Sequence, residues 1–393
     1  MIQYLKVKGL NKRTDGEFEF NADLNIFTGP NGSGKTTLLK LIWYLISGNL
    51  NQILAQIPFH SIAIQTDLFA LGMERVEPDR VTLNYSFGKE EGVYEFIVIA
   101  AETGRVDRKD VGWVNALEKR IARTTKRSLF FPTFRRIEGG FSRVNTDTDD
   151  SAIRFRASAP EMLQDSMSRF SDEVSINAHK FIASISTEDL RELLTQKYAD
   201  IYEEITTRQA QVLEEISKEI QNNPDKDKVS EISQDSSAIL NAIQKANEER
   251  EQLSKPFSVL SELSRKILRY EAIRVTGRVV RGETTDGITL GEGNDGITVG
   301  EAKNAISSDK LSAGEKQMLS FLCYNAFSKD TTIFIDEPEL SLHVDWERIL
   351  LPTLLNQSTE NQFFIATHSP FIYTMYPDKE FMLDDTRGYQ GKI

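Results

Sequence analysis

A glycine-rich octapeptide, Gly29-Pro30-Asn31-Gly32-Ser33-Gly34-Lys35-Thr36, follows the apolar run Leu24–Thr28 and precedes the helical run Thr37–Ile46. It fits G-x-x-x-x-G-K-[ST], and its flanks are what that pattern needs: a buried strand delivering the chain to a loop, and a helix leaving it. The chain must therefore contain a strand–loop–helix unit of an α/β fold. Gly29, Gly32 and Gly34 permit backbone conformations that aim successive N–H groups inward, and the helix adds the positive end of its dipole. Such a loop can hold a polyphosphate, with Lys35 reaching the β and γ phosphates, Thr36 placing its hydroxyl on a Mg²⁺ ion and Thr37 touching the α phosphate.

Two further apolar runs end in chemistry. Thr331–Ile335 reads as a fully buried strand that terminates in Asp336-Glu337-Pro338. Two acids at the polar tip of a strand suit a metal and a water: Asp336 for Mg²⁺, Glu337 to orient or deprotonate an attacking water. Pro338 cannot continue the ladder and turns the chain. Phe363–Ala366 reads as a second buried strand, and it ends in Thr367-His368-Ser369-Pro370, which places His368 where it can contact the γ phosphate.

With Leu311-Ser312-Ala313-Gly314-Glu315 lying between these segments, the chain resembles the ABC-type ATPases, in particular the SMC, RecF and OLD-like branch, at both ends but not in the middle. The resemblance implies a P-loop NTPase head with a mixed and parallel sheet, binding ATP and Mg²⁺ and hydrolysing ATP. Under it, Gly29 to Thr36 is the Walker A loop, with Asn31 and Ser33 among its nucleotide contacts. Leu311 to Gln317 is the signature, Asp336-Glu337 is Walker B, Ser341-Leu342-His343 is the D-loop and His368 is the switch histidine. Signature residues Ser312 and Gly314 are expected to approach the γ phosphate held by a second copy, so that ATP joins a homodimer. Ala313 departs mildly from a common glycine. No glutamine stands where a Q-loop is expected; Phe130-Phe131-Pro132-Thr133-Phe134-Arg135-Arg136 fills that place. Arg135 or Arg136 then couples the phosphate site to the helical lobe, or pairs with surface acids.

Composition bounds the rest. The 393 residues, 39% of them hydrophobic, suffice for a large core and for two domains or one domain with an insertion. The single cysteine, Cys323, lies in an apolar run and reads as a core thiol, so no disulfide framework exists and a reducing cytoplasm fits. No leader and no spanning helix is expected, hence no membrane association. A net charge of -12 opposes indiscriminate nucleic-acid binding. Lys119, Arg120, Arg123, Lys126, Arg127, Arg135 and Arg136 nevertheless form one basic region, either a solvated face or a nucleic-acid contact.

The motifs divide the chain into an N-terminal half-head (1–150), a helical insertion (151–275) and a C-terminal half-head (276–393). The first half is expected to hold strands at Ile2–Val7, Phe18–Phe20, Leu24–Phe27, Val81–Phe87 and Tyr94–Ala100. A polar link covers Asn145–Ser158. Within the insertion, Leu194, Tyr198, Ile201, Ile205 and Val212 recur at helical spacing, as do Ile232, Ile239, Ile243, Ala246 and Leu253. That predicts a short antiparallel coiled-coil hairpin with its tip at Asn222–Asp225, its arms on the order of 40–50 Å at about 1.5 Å per residue. The echo of Asp286-Gly287-Ile288-Thr289 in Asp295-Gly296-Ile297-Thr298 predicts two strands of a hairpin, and the signature helix should run over Gly314–Phe327.

Beyond His368 there is no expected room for the TOPRIM nuclease that OLD-like proteins carry, so a destructive activity would sit on a separate polypeptide. The Asp336–His343 pattern is similar to that of ATPase subunits of anti-phage systems such as PARIS or Septu, which implies a sensor or regulator of a separate effector, a nuclease foremost. Two other readings stay open: a RecF- or SMC-like repair ATPase that binds DNA directly, and a scaffold in which ATP is glue with little turnover.

Overall fold

The computed structural model describes residues 1–12, 14–100, 104–133, 136–137, 159–185, 187–221, 244–253, 255–257, 259–260, 263, 272–275, 288–290, 297–300, 305–307, 312–357 and 359–383. They form an α/β protein with two compact units, one of residues 1–185 and 328–393, the other of residues 186–327.

The first unit opens with strands β1 (Ile2–Leu10), β2 (Thr14–Glu19) and β3 (Leu24–Thr28), helices α1 (Lys35–Ser47) and α2 (Leu50–Gln56), then β4 (Ser61–Thr66), β5 (Ala70–Glu77), β6 (Arg80–Phe87), β7 (Glu90–Ala100), β8 (Arg105–Val106) and α3 (Val111–Thr124). It continues through β9 (Ser128–Phe131), β10 (Arg136–Ile137), α4 (Ala159–Val174), β11 (His179–Phe181) and β12 (Ser184–Ile185). The second unit contributes α5 (Thr187–Gln221), β13 (Ala272–Val275), β14 (Ile288–Leu290), β15 (Ile297–Gly300), β16 (Ala305–Ser307) and α6 (Ala313–Ala326). The first unit resumes with β17 (Thr332–Asp336), α7 (Val344–Leu355), β18 (Gln362–Ala366), α8 (Pro370–Tyr373) and β19 (Glu380–Met382).

A six-stranded sheet is ordered β11-β9-β17-β18-β3-β19, and the candidate phosphate-site residues of the first unit lie at its strand ends, in the loops beyond them or in the first turn of α1. All its pairings are parallel. The central strands β3, β9, β17 and β18 are buried along their whole length. That explains why they read as unbroken apolar runs, since both faces of a parallel sheet are covered. One face stacks aromatic rings: Phe130 on Phe334 at 6.0 Å, Phe334 on Phe364 at 5.1 Å and Phe364 on Phe27 at 6.4 Å between centroids. The α1 helix is buried over most of its length, and its Trp43 donates to Ser128 Oγ of β9 at 3.0 Å.

The second sheet of this unit, antiparallel and ordered β2-β1-β4-β5-β6-β7-β8, alternates buried with exposed positions, as in β4 and β6. Its inward residues Leu5, Val7, Ile62, Ile64, Leu71, Met73, Leu83 and Phe96 join the core that α1 enters. The strands expected from the sequence in this half are all present, four of them longer at one or both ends, while the one expected at Phe18–Phe20 runs over Thr14–Glu19 and stops before Phe20.

In the second unit, α5 runs 35 residues without a break, and Leu190 and Leu194 on it are buried. Residues 244–253 are also helical. The tip Asn222–Asp225 and the approach to the second arm lie outside the described residues, so the hairpin expected there is not shown; the polar link 145–158 lies outside them too. The repeated Asp-Gly-Ile-Thr segments do give an antiparallel pair, β14 with β15, Thr289 opposite Thr298, inside a sheet ordered β14-β15-β13-β16. Whereas the sequence division ends the insertion at 275, this compact unit extends to Phe327 and takes in the signature helix α6.

Candidate functional site

Parallel register decides which strand ends share a rim. Asp336 lies opposite Ala366, and Ala366 opposite Phe27, so the loops after β17, β18 and β3 leave the sheet side by side. Ligand sites in open parallel sheets form at such carboxyl ends.

The loop after β3 turns through Gly29, Gly32 and Gly34, all at positive φ (135°, 83° and 96°). Gly34 is the N-cap of α1 and, having no side chain, leaves the first-turn N–H groups without a side-chain cap. Lys35 folds back, its Nζ donating to the carbonyls of Gly29 at 2.9 Å and Pro30 at 3.0 Å. Burial pushes its ammonium below the ordinary range, against the pull of Glu337, Asp336 and Glu339. Ser33 Oγ is buried with no hydrogen-bond partner among the described residues, and a Cβ built on Gly32 would meet nothing within 4 Å. An orphan hydroxyl, uncapped amides and open space over Gly32 fit a phosphate chain. Thr37 accepts from Asn11 Nδ2 at 3.0 Å, which ties the β1–β2 turn to this loop.

Across the rim, Thr36 Oγ1 donates to Asp336 Oδ1 at 3.0 Å, and Thr133 Oγ1 donates to Asp336 Oδ2. The pair Thr36 and Asp336 offers a hydroxyl and a carboxylate oxygen to one point, a donor set that suits Mg²⁺ with most of its waters retained. Burial pushes the Asp336 carboxyl above its ordinary range; the Thr133 and Thr36 hydrogen bonds oppose it. Thr133 takes the place within Phe130–Arg136 where the sequence offers no glutamine. Arg135 and the Arg136 side chain lie outside the described residues.

Glu337 sits at φ 48°, in the left-handed region that a non-glycine residue rarely adopts, while its N–H continues the ladder to Ala366 O at 2.8 Å. Its carboxyl is raised above the ordinary range by burial, then by Asp336 and Glu339, with His368 and Lys35 opposing. His368 Nε2 lies 3.5 Å from Glu337 Oε1. Motif reading thus names Lys35, Thr36, Asp336, Glu337 and His368, and the fold brings them to one rim.

The fold also recruits residues that motif reading passed over. Glu339 accepts from the His368 N–H and from Thr367 Oγ1, and Glu347 accepts from Ser369 Oγ. The only sequence signal for Glu339 was a third acid in Asp336-Glu337-Pro338-Glu339. Ser312 and Gly314 belong to the second compact unit: Ser312 is the N-cap of α6, in a capping box with Glu315, and Gly314 is buried in the first turn. Of the basic region, Arg120 pairs with Glu90 through two 2.7 Å bonds and lies over the Phe87 ring, and Lys126 pairs with Asp330. Lys119, Arg123 and Arg127 are exposed.

A sequence profile described as "AAA domain, putative AbiEii toxin, Type IV TA system" matches residues 24–373. The chain belongs to this family. Among curated proteins, the AAA-domain chain is 39% identical over 69 residues to Endonuclease GajA of Bacillus cereus (strain VD045), a match covering 16% of this chain and 12% of that protein. It is 43% identical over 42 residues to the DNA double-strand break repair Rad50 ATPase of Methanopyrus kandleri, covering 11% of this chain and 5% of that protein. The chain therefore spans a small part of the length of both. Among solved structures, the Smc head domain of Pyrococcus furiosus bound to the C-terminal domain of ScpA aligns over 95% of this chain and 91% of that one at 13% identity and TM-score 0.38. An SmcHead bound to the C-winged helix domain of ScpA aligns over the same shares at 12% identity and TM-score 0.39. The AAA-domain family and the two local matches agree with the resemblance read from the motifs. Among the described residues no helix is long and apolar enough to cross a membrane.

Proposed function

We propose that this chain binds ATP in the Gly29–Thr36 loop and hydrolyses it. Two copies close around the nucleotide through Ser312 and Gly314, and the ATP state regulates a separate effector, a nuclease, in cytoplasmic anti-phage defence. The observation that carries the hydrolytic reading is the triple convergence of Lys35, the Thr36–Asp336 pair and the Glu337–His368 contact on one rim. Thr36 and Asp336 would hold Mg²⁺, whose chemistry there is to neutralise phosphate oxygens. Lys35 binds the β and γ phosphates. Glu337 takes the proton of the attacking water, a role worth about 10²–10⁴-fold in rate for a positioned base. His368 orients that water and the γ phosphate. The defence role is supported by the toxin named in the family's description and by the endonuclease among its relatives.

The test is Glu337→Gln with ATP, measured by light scattering on a sizing column. A nucleotide-dependent dimer is expected; a variant that stays monomeric counts against the closing reading. Affinity capture of the same variant from native host cells, with and without phage, should bring down a stoichiometric nuclease. DNA without a protein partner would instead favour the second reading, a clamp on DNA, for which the exposed Lys119, Arg123 and Arg127 and the Rad50 relative speak. A steep fall of DNA affinity with salt would mark that reading, because phosphate contacts release counterions.

A further inference from the structure

Glu339 is the acid of Asp336-Glu337-Pro338-Glu339 to which the reading above assigns no chemistry. The turn after β17 is tight: Leu340 N–H reaches Glu337 O at 3.3 Å and Leu342 N–H reaches Glu339 O at 3.0 Å. From it the Glu339 carboxylate uses both oxygens on the neighbouring loop. Oε1 accepts from the His368 backbone N–H at 2.6 Å and Oε2 from Thr367 Oγ1 at 2.9 Å. Thr367, fully buried, accepts in turn from Ser369 N–H at 3.0 Å. Ser369 Oγ donates to the buried Glu347 and accepts from Phe371 N–H at 3.2 Å. Two carboxylates therefore clamp the segment on either side of His368, and the imidazole between them ends 3.5 Å from Glu337 Oε1.

We propose that Glu339 is a positioning residue for ATP hydrolysis: it locks the backbone of His368 to the turn that carries Glu337, so that base and histidine are held as one unit. The proposal rests on the hydrolytic reading of this site. A carboxylate that accepts two bonds, one from an N–H in the backbone of the residue it positions, fixes place and orientation together; charge-assisted bonds of this length are the stronger kind. The parallel ladder between β17 and β18 ends at Ala366, so the Glu339 bonds carry the attachment further, onto Thr367 and His368. Displacements of about 1 Å in a catalytic constellation cost on the order of 100-fold in rate.

The experiment is steady-state ATP turnover of Glu339→Ala, Glu339→Gln, Thr367→Val and His368→Ala, with the double variant Glu339→Ala/His368→Ala, alongside wild type. Glu339→Ala is expected to lower kcat about 100-fold, leaving KM for ATP within about twofold. Glu339→Gln keeps an acceptor for the His368 N–H and should recover most of that loss. Thr367→Val, which deletes one of the two bonds, should fall between. The double variant should be no slower than His368→Ala alone, because a residue that acts through His368 has nothing left to position. Losses that multiply in the double variant overturn the proposal, and so does a Glu339→Ala enzyme with wild-type kcat. If Glu339→Ala does not fold, Glu339→Gln and Thr367→Val decide, and wild-type kcat in both overturns it. A wild-type protein with no turnover refutes the hydrolytic reading itself, a separate outcome.

Discussion

Alanine at Gly29 and at Gly32 should do different damage, although both glycines belong to one loop. At Gly32 a Cβ would meet nothing within 4 Å, and the substitution bears only the strain of φ 83°. That strain costs about 1–2 kcal/mol for an L residue in the left-handed region. At Gly29 the strain of φ 135° is joined by a collision: the Cβ would lie 2.2 Å from Leu383 O and 3.0 Å from Ser33 Oγ. The Leu383 carbonyl belongs to a backbone whose N–H is bonded to Thr28 O at 2.8 Å, so it has no rotamer to escape into. Overlap of this kind costs a further 1–3 kcal/mol or so, bringing Gly29→Ala to roughly 2–5 kcal/mol. Urea unfolding reads the stability difference, and titration with a fluorescent ATP analogue reads the cradle. Gly32→Ala is expected to lose only the strain cost of about 1–2 kcal/mol yet bind nucleotide poorly, since its methyl occupies the space over the loop; Gly29→Ala should lose more stability. Equal destabilisation of the two, or a Gly29→Ala cost below about 1 kcal/mol, would refute the assignment of that space.

Three further outcomes follow from the same geometry. Lys35→Ala should abolish ATP binding in equilibrium titration with little change in unfolding midpoint, and retained affinity would remove Lys35 from the phosphate site. Ser128→Ala strips the acceptor of Trp43 Nε1 at 3.0 Å and the partner of His179 Nδ1 at 2.7 Å, all three residues being fully buried. It should cost about 2–4 kcal/mol in a denaturant titration while KM for ATP holds. Burial pushes the Glu118 carboxyl from 4.5 up to about 7, against hydrogen bonds from the Asn51 and Leu50 N–H groups. The folded state then holds this proton more tightly than the unfolded one, so the contribution is complete below about pH 4.5 and fades as pH rises through 7, on the order of 3 kcal/mol in all. Glu118→Gln should flatten that fall in melting temperature between pH 5 and 8, and an unchanged slope would count against it.

Much of the site is legible in the sequence because its signals are local. A glycine loop between a buried strand and a helix needs only its neighbours to be recognised. The same holds for an apolar run that ends in Asp336-Glu337, and for the helix expected over Gly314–Phe327, which runs over Ala313–Ala326. The ends of β3, β17 and β18 came within a residue for the same reason: burial on both faces writes a continuous apolar run whatever the strand order.

Tertiary structure decided what lies beside what. Thr133 and Asp336 are far apart in the chain, and no pattern in either segment says that a threonine would stand at the position searched for a glutamine. Their contact depends on β9 pairing with β17 in register, Phe131 opposite Ile335. Glu339 gains its partners only because β17 and β18 are neighbours, with Asp336 opposite Ala366. The grouping of α6 with residues 186–327 rather than with the acidic strand was equally invisible, since a buried helix carries no mark of the surface it packs on. Sequence fixes which chemical groups are present and which face of each element is apolar. The pairing and register of the strands then determine which of those groups come within hydrogen-bonding distance.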